Sequence, residues 1–320
     1  MRVTSANRVD PITVEVIGSA LSSIVEEMGE ALVRASFSTN IKERRDCSTA
    51  LFDRHGTTLC QAEHIPMHLG SFIGIIPEIL KRHPVEKMQP GDVFIGNDAY
   101  AGAGTHLPDI VLGEPIFVDG GIVAWAVNTA HHADFADRGH SHIYQEGLRI
   151  TPIRLYRAGE LQSHVQELIL LNCQVPRERL SDLRAQMAAN RLGVQRMQAL
   201  CGKYGTETVL AVGDALQDYA ERKMRAGIAA LPDGTYHFAD TTTIRARPRP
   251  SSLGRDHDRG QRDVAALRES AAGAGRDQHD LHGAVVECLL RGQSSGRSDD
   301  PAELRARPPD HGDRAARHGH

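Results

Sequence analysis

Between Asn97 and Asp134 two H-x-x-D units flank a hairpin pattern: N-D-A-Y-A-G-A-G-T-H-L-P-D, two apolar runs around a turn, then N-T-A-H-H-A-D. The runs are Ile110–Leu112 with Pro115–Val118 on one side and Ile122–Val127 on the other, separated by Asp119-Gly120-Gly121. β-type residues around such a turn predict an antiparallel strand pair. Symmetric pairing about Gly120 sets Asp109 opposite His131 and His106 opposite Asp134, and directly opposed Cβ atoms lie roughly 4.5–5.5 Å apart. Imidazoles and carboxylates from both units then converge. Two neutral imidazoles and a carboxylate leave positions open on a divalent ion for water or substrate. The candidate ligands are His106, Asp109 and His131. Asp134, His132 and Asp98 are alternative ligands or groups that orient a ligand ring. His132 should face away if the strand persists, because side chains alternate. The competing reading is structural: a turn with a capping Asp in H-L-P-D and a polar loop end in H-H-A-D.

Upstream, Asp10-Pro11 offers a cap and a first-turn proline, and apolar residues recur at helical spacing from Val14 to Ala35. This predicts an amphipathic helix over about 12–36. Residues 37–45 read as a polar loop whose Lys42, Arg44 and Arg45 meet either an anionic substrate group or solvent. Ser48–Asp53 and Thr57–Gln61 form a second hairpin pattern. In A-E-H-I-P-M-H-L-G-S, Pro66 opposes a helix and fixes a loop carrying His64 and His68. Either is an acid/base candidate near pH 7 or a satisfied structural histidine.

A short helix over 72–80 and a strand over 91–95 lead into Asn97. Gly102 to Gly104 matches no phosphate-loop pattern, so close backbone approach explains these glycines better. Further on, Glu146 and Arg149 either face the site or form an ordinary surface pair. A strand over 150–155 precedes helical spacing at 165–171, 179–200 and 207–229. The order of elements predicts an α+β fold in which antiparallel β-hairpins carry the metal site and a helical layer follows.

A net charge of -4 gives no ground for nucleic-acid or anionic-membrane binding. No apolar run approaches the ~20 residues of a membrane span, and five scattered cysteines suit reduced thiols. A cytoplasmic protein is expected. The composition breaks near residue 240. From Thr241 to His320 there is no Phe, Trp, Tyr or Lys, while fourteen of the thirty-two arginines fall there. That vocabulary is expected of a GC-rich gene read out of frame, or of an evolved disordered tail. The domain reading is therefore 1–240 as the folded region and 241–320 as a disordered tail.

Several longer stretches carry a resemblance: S-x-N-I-K-E-R-x-D at Ser38–Asp46, A-E-H-I-P-M-H-L-G-S, G-D-V-F-x-x-N-D-x-Y at Gly91–Tyr100, G-T-H-L-P-D, I-Y-Q-E-G-L-R-I, and D-L-R-A-Q-M-A-A-N at Asp182–Asn190. Together they resemble the hydantoinase B/oxoprolinase family over about residues 10–240. The resemblance implies an ATP-dependent opening of a cyclic amide, such as 5-oxoproline or a hydantoin. A hydantoinase A-like partner would bind ATP and activate the carbonyl, and this chain would deliver water to it. His64, His68 and Glu146 are the catalytic candidates, with Lys42, Arg45 and Arg149 as substrate contacts. The family's metal ligands match His106, Asp109 and His131, with Mn²⁺ favoured and Zn²⁺ or Fe²⁺ admitted. Alternatives are a ketone carboxylase subunit and a truncated, non-catalytic partner-binding remnant. The loop after the second H-x-x-D is shorter than the family's, and family-like β-structure is not recognisable after about Asp240.

Overall fold

The structure is a computed structural model. It describes residues 9–65, 68, 70–102, 104–135, 142–232, 235–237 and 261–263. In chain order the helices are α1 (Pro11–Ala35), α2 (Thr39–Lys42), α3 (Ile75–Arg82), α4 (Ser163–Leu171), α5 (Pro176–Tyr204) and α6 (Thr206–Ala230). The strands are β1 (Cys47–Asp53), β2 (Thr58–Glu63), β3 (Val93–Gly96), β4 (Asp109–Val118), β5 (Gly121–His131), β6 (Ile153–Arg157), β7 (Glu160–Leu161), β8 (Thr235–His237) and β9 (Gln261–Asp263). The first seven strands form one antiparallel sheet in the order β2-β1-β5-β4-β3-β6-β7. The architecture is α+β: α1 and α2 precede the sheet, α3 falls between β2 and β3, and α4, α5 and α6 follow β7.

Helix α1 starts where Asp10 accepts a hydrogen bond from the Thr13 amide at 3.1 Å and Pro11 takes the first turn. Its stripe of Ile17, Leu21, Ile24, Val25, Met28 and Leu32 is buried. Alternation along the strands makes two faces. Leu51, Ile116, Ala124 and Ala126 pack towards α1, α5 and α6. Ala50, Phe52, Val111, Trp125 and Val127 pack with Phe72 and the α3 residues Ile75, Ile76 and Ile79. At Gly193 the space that a Cβ would need is filled by Met28 Sδ, so the glycine lets α1 and α5 meet with this methionine packed between them.

The loop expected over 37–45 contains one turn of helix, α2, because the Ser38 hydroxyl accepts the Ile41 amide and caps it. Within the tail expected to be without structure, Gln261–Asp263 pairs with Thr235–His237. The remainder of 241–320 lies outside the described residues. The four described cysteines are free, and burial pushes the Cys47 and Cys60 thiols up to about 12. No described helix is long and apolar enough to cross a membrane.

Glu114 on β4 is buried beside Arg191 of α5, with Oε1 3.3 Å from Arg191 Nε. Burial pushes its carboxyl up to about 7, against the pull of Arg191, from an ordinary 4.5. A carboxyl raised on folding contributes fully below its unfolded pKa and loses that contribution as pH rises through the folded value. Stability should therefore fall between about pH 4.5 and 7 through this group. Glu114→Gln should gain on the parent steadily across that window in urea unfolding. A stability difference independent of pH would refute the assignment.

Candidate metal centre

Asp109 opens β4, His131 closes β5, and the two are paired residues in the ladder. They lie on the α3 face of the sheet, in phase with Val111 and Val127. Pairing stops there, so His106 is not held opposite Asp134 by strand register. It arrives instead through a turn in which the Asp109 amide donates to His106 O at 3.1 Å. Gly104 (φ +79°) permits that turn, since a Cβ there would stand 3.0 Å from Asp109 Cβ and O. Gly102 (φ +72°) lies against Gly74, where a Cβ would come within 2.4 Å of backbone. Close approach is thus what these two glycines serve.

His106 Nε2 lies 3.0 Å from Asp109 Oδ1 and 3.0 Å from His131 Nδ1, and His131 Nδ1 lies 3.2 Å from Asp109 Oδ1. The two rings stack with centroids 4.8 Å apart. Three lone-pair atoms so close repel unless a proton or cation sits among them. Ligand atoms ~2.0–2.2 Å from one ion have a spacing of about 3 Å when adjacent, so the donor set fits a divalent metal. Among the described residues this is the one group of three or more such side chains close enough to hold an ion.

The supporting groups come from elsewhere in the chain. Thr105 Oγ1 donates to Asp109 Oδ2 at 3.0 Å, leaving Oδ1 to the cluster. Glu146 accepts the Leu107 amide at 3.1 Å and places Oε1 3.6 Å from His106 Nδ1, the ring nitrogen away from the cluster. The hydrogen bond to Asp109 raises the His106 pKa against the effect of burial. Burial pushes the Asp109 carboxyl up, and hydrogen bonds from His106 and His131 more than reverse this, holding it well below the usual carboxylate range.

The other sequence-based candidates separate clearly. His68 is buried, with Nδ1 3.1 Å from Ser48 Oγ and Nε2 3.4 Å from Asp46 Oδ1. Burial lowers its pKa, and Asp109 is close enough to oppose that shift. His64 instead packs in the notch left by Gly29 on α1, where Nε2 occupies the place of a Cβ. No contact joins it to the cluster among the described residues. Asp134 is half-buried within electrostatic reach of His106. Asp98 is committed elsewhere: it accepts the Tyr100 amide at 3.0 Å and pairs with Arg149 Nε at 2.9 Å. Arg149 in turn lies over the Tyr100 and Tyr144 rings. Lys42 is exposed at the end of α2, and Arg45 is engaged by Glu30 at 2.6 Å. His132 turns to the opposite face and is fully buried against Gln186.

Sequence reading passed over Asn97, Asp46 and Ser48 as individual residues, although each lies in or beside a stretch it singled out. Asn97 is fully buried; its amide donates to Leu107 O at 2.7 Å and Leu148 O at 2.9 Å and accepts from the Ile150 amide at 2.6 Å. It ties the His106 turn to the Glu146 segment.

The family model for hydantoinase B/oxoprolinase matches residues 10–265, most of the chain and past Asp240. The chain belongs to this family. The beta subunit of caprolactamase from Pseudomonas jessenii is 35% identical over 237 residues, covering 72% of this chain and 40% of that subunit. The crystal structure of that ATP-dependent caprolactamase superposes with a TM-score of 0.68 at 34% identity over 74% of this chain and 42% of that one. A 5-oxoprolinase of Saccharomyces cerevisiae is 33% identical, covering 73% of this chain and 19% of that protein. Nucleotide-free acetone carboxylase shares the fold, with a TM-score of 0.66 at 19% identity over 72% of this chain and 31% of that one. This family member therefore spans less than half the length of these relatives. The shortened loop after the second H-x-x-D, over 136–141, lies outside the described residues.

Proposed function

We propose that this chain is the metal-holding part of an ATP-dependent cyclic-amide hydrolase that works with a hydantoinase A-like, ATP-binding partner. The observation that carries the reading is the meeting of His106 Nε2, Asp109 Oδ1 and His131 Nδ1 within 3.2 Å of one another. Kinship with a caprolactamase subunit and a 5-oxoprolinase supports the substrate class. In this reading the partner transfers the γ-phosphoryl of ATP to the amide oxygen. Water then adds to the activated carbon, the C–N bond opens as the ring nitrogen takes up a proton, and a second water cleaves the resulting acyl phosphate to carboxylate and phosphate.

The three ligands would hold Mn²⁺, Zn²⁺ or Fe²⁺. When bound, the ion supplies Lewis acidity beside the reacting carbonyl. Glu146 fixes the His106 ring through the Nδ1 edge, and Thr105 fixes the Asp109 carboxylate. His68, kept neutral by burial at the edge of the cluster, accepts the proton lost by the attacking water. Arg149, steadied by Asp98 between two tyrosines, meets an anionic group on the substrate. The chain is read as a cytoplasmic protein.

The purified chain alone should neither bind nor hydrolyse ATP, since the sequence contains no phosphate loop. With an A-like partner, ATP and a cyclic amide such as 5-oxoproline, ring opening should appear and ATP consumption should depend on substrate. Calorimetry and phosphate release test this directly. Specific nucleotide binding by the isolated chain, or full activity after metal is stripped from the mixture, would defeat the proposal.

A further inference from the structure

The stretch D-L-R-A-Q-M-A-A-N has no part in the metal cluster itself, yet it carries much of a buried polar stripe on α5. Arg179, Asp182, Gln186 and Asn190 recur at three- and four-residue spacing and are all buried, where a buried helix stripe is ordinarily apolar. Burying such groups is unfavourable unless each finds partners. Gln186 finds a full set. Its Nε2 donates to Ile110 O and to Asn128 Oδ1, both at 2.8 Å. Asn128 Nδ2 donates back to Gln186 O at 2.8 Å and to Asn190 Oδ1 at 2.7 Å. Since both acceptors of Gln186 Nε2 are oxygens that only accept, the amide orientation is fixed and Oε1 must face His132 Nε2, 2.9 Å away.

Ile110 follows Asp109, and His132 follows His131. At these hairpin ends β4 has no β3 partner beyond Gly96↔Val111, and β5 ends at His131, one residue past its last β1 partner at Ala130. One side chain therefore grips, from behind the sheet, the residue next to each of two ligands. Its neighbours on the helix extend the grip. Arg179 donates to Ala133 O and stacks on Phe135, and Asp182 accepts the amides of Phe37 at 2.7 Å and Ser38 at 3.2 Å.

We infer that Gln186 is a positioning residue for the metal cluster, fixing the separation of Asp109 Oδ1 and His131 Nδ1 by holding Ile110 and His132. The inference rests on the proposal that the cluster binds a divalent ion. The test is Mn²⁺ titration of the full chain followed by electron paramagnetic resonance, on the parent, Gln186→Met, Gln186→Asn and Met197→Ala. Met197 is a buried core residue of the same helix about three turns further on, so its truncation loosens the helix without touching the hairpin ends. Both Gln186 variants should weaken Mn²⁺ binding about 10–100-fold, the range for groups that orient ligands. The zero-field splitting of the bound ion should change as well. Met197→Ala should bind within about threefold of the parent and leave the spectrum unaltered, since it touches no ligand-orienting group. Gln186→Asn keeps the amide on a shorter stem and serves if Gln186→Met does not fold. No Mn²⁺ binding by the parent would defeat the metal reading and this inference with it. Binding by the parent with no greater loss in the Gln186 variants than in Met197→Ala would overturn the positioning role alone.

Discussion

Replacing His106 by alanine should abolish divalent-metal binding at the proposed site while leaving the chain folded. The side chain gives one of the three converging ligand atoms and is 38% exposed. Its loss opens no core cavity, and the stability change should stay within about 1 kcal/mol. Affinity should fall by roughly 100-fold or more, beyond the 10–100-fold typical of groups that only orient ligands. Elemental analysis beside circular dichroism reads both quantities on one sample. Full occupancy in the variant would remove His106 from the ligand set, and a collapse of helix content would mean that the residue supports the fold instead.

The largest stability effect is expected at Asn97, which touches no ligand. Asn97→Ala leaves Leu107 O, Leu148 O and the Ile150 amide without the partner they now have. An unpaired buried polar group costs about 1–3 kcal/mol, so a loss on the order of 3–5 kcal/mol should follow. Metal affinity should drop too, because the same side chain ties the turn bearing His106 to the segment bearing Glu146. Urea unfolding and Mn²⁺ titration measure the two effects. A stability loss under about 1 kcal/mol would show that water or backbone movement takes over these bonds.

The course of α1, the two hairpins and the α+β order of elements were legible because each is written in a short-range period. Residues 12–36 repeat every three to four positions, and the β4–β5 segment alternates around a turn. The single turn of α2 escaped notice because four residues carry no period, only a capping serine. The long helices were found from spacing, but the spacing did not reveal that α5 buries amides and an arginine.

The same division runs through the candidate metal centre. The sequence alone pointed to Asp109 and His131 side by side, given a turn centred at Gly120, and to His132 facing the other way if the strand persisted. Alternation sets His132 apart from His131, but the ladder turns at Asp119-Gly120 with Val118 opposite Gly121, and a bulge between Ile116 and Phe117 supplies the one-residue shift that brings Asp109 opposite His131. Tertiary structure alone decided the rest. His64 and His68 are four residues apart on one loop, yet only packing of that loop sends one to the notch at Gly29 and the other to the cluster. Glu146 reaches the His106 turn across 39 residues, Arg45 is claimed by Glu30 on α1, and Gln186 grips both hairpin ends from another layer. Such contacts depend on how layers pack, and a local period carries no information about which residue of another layer will lie opposite.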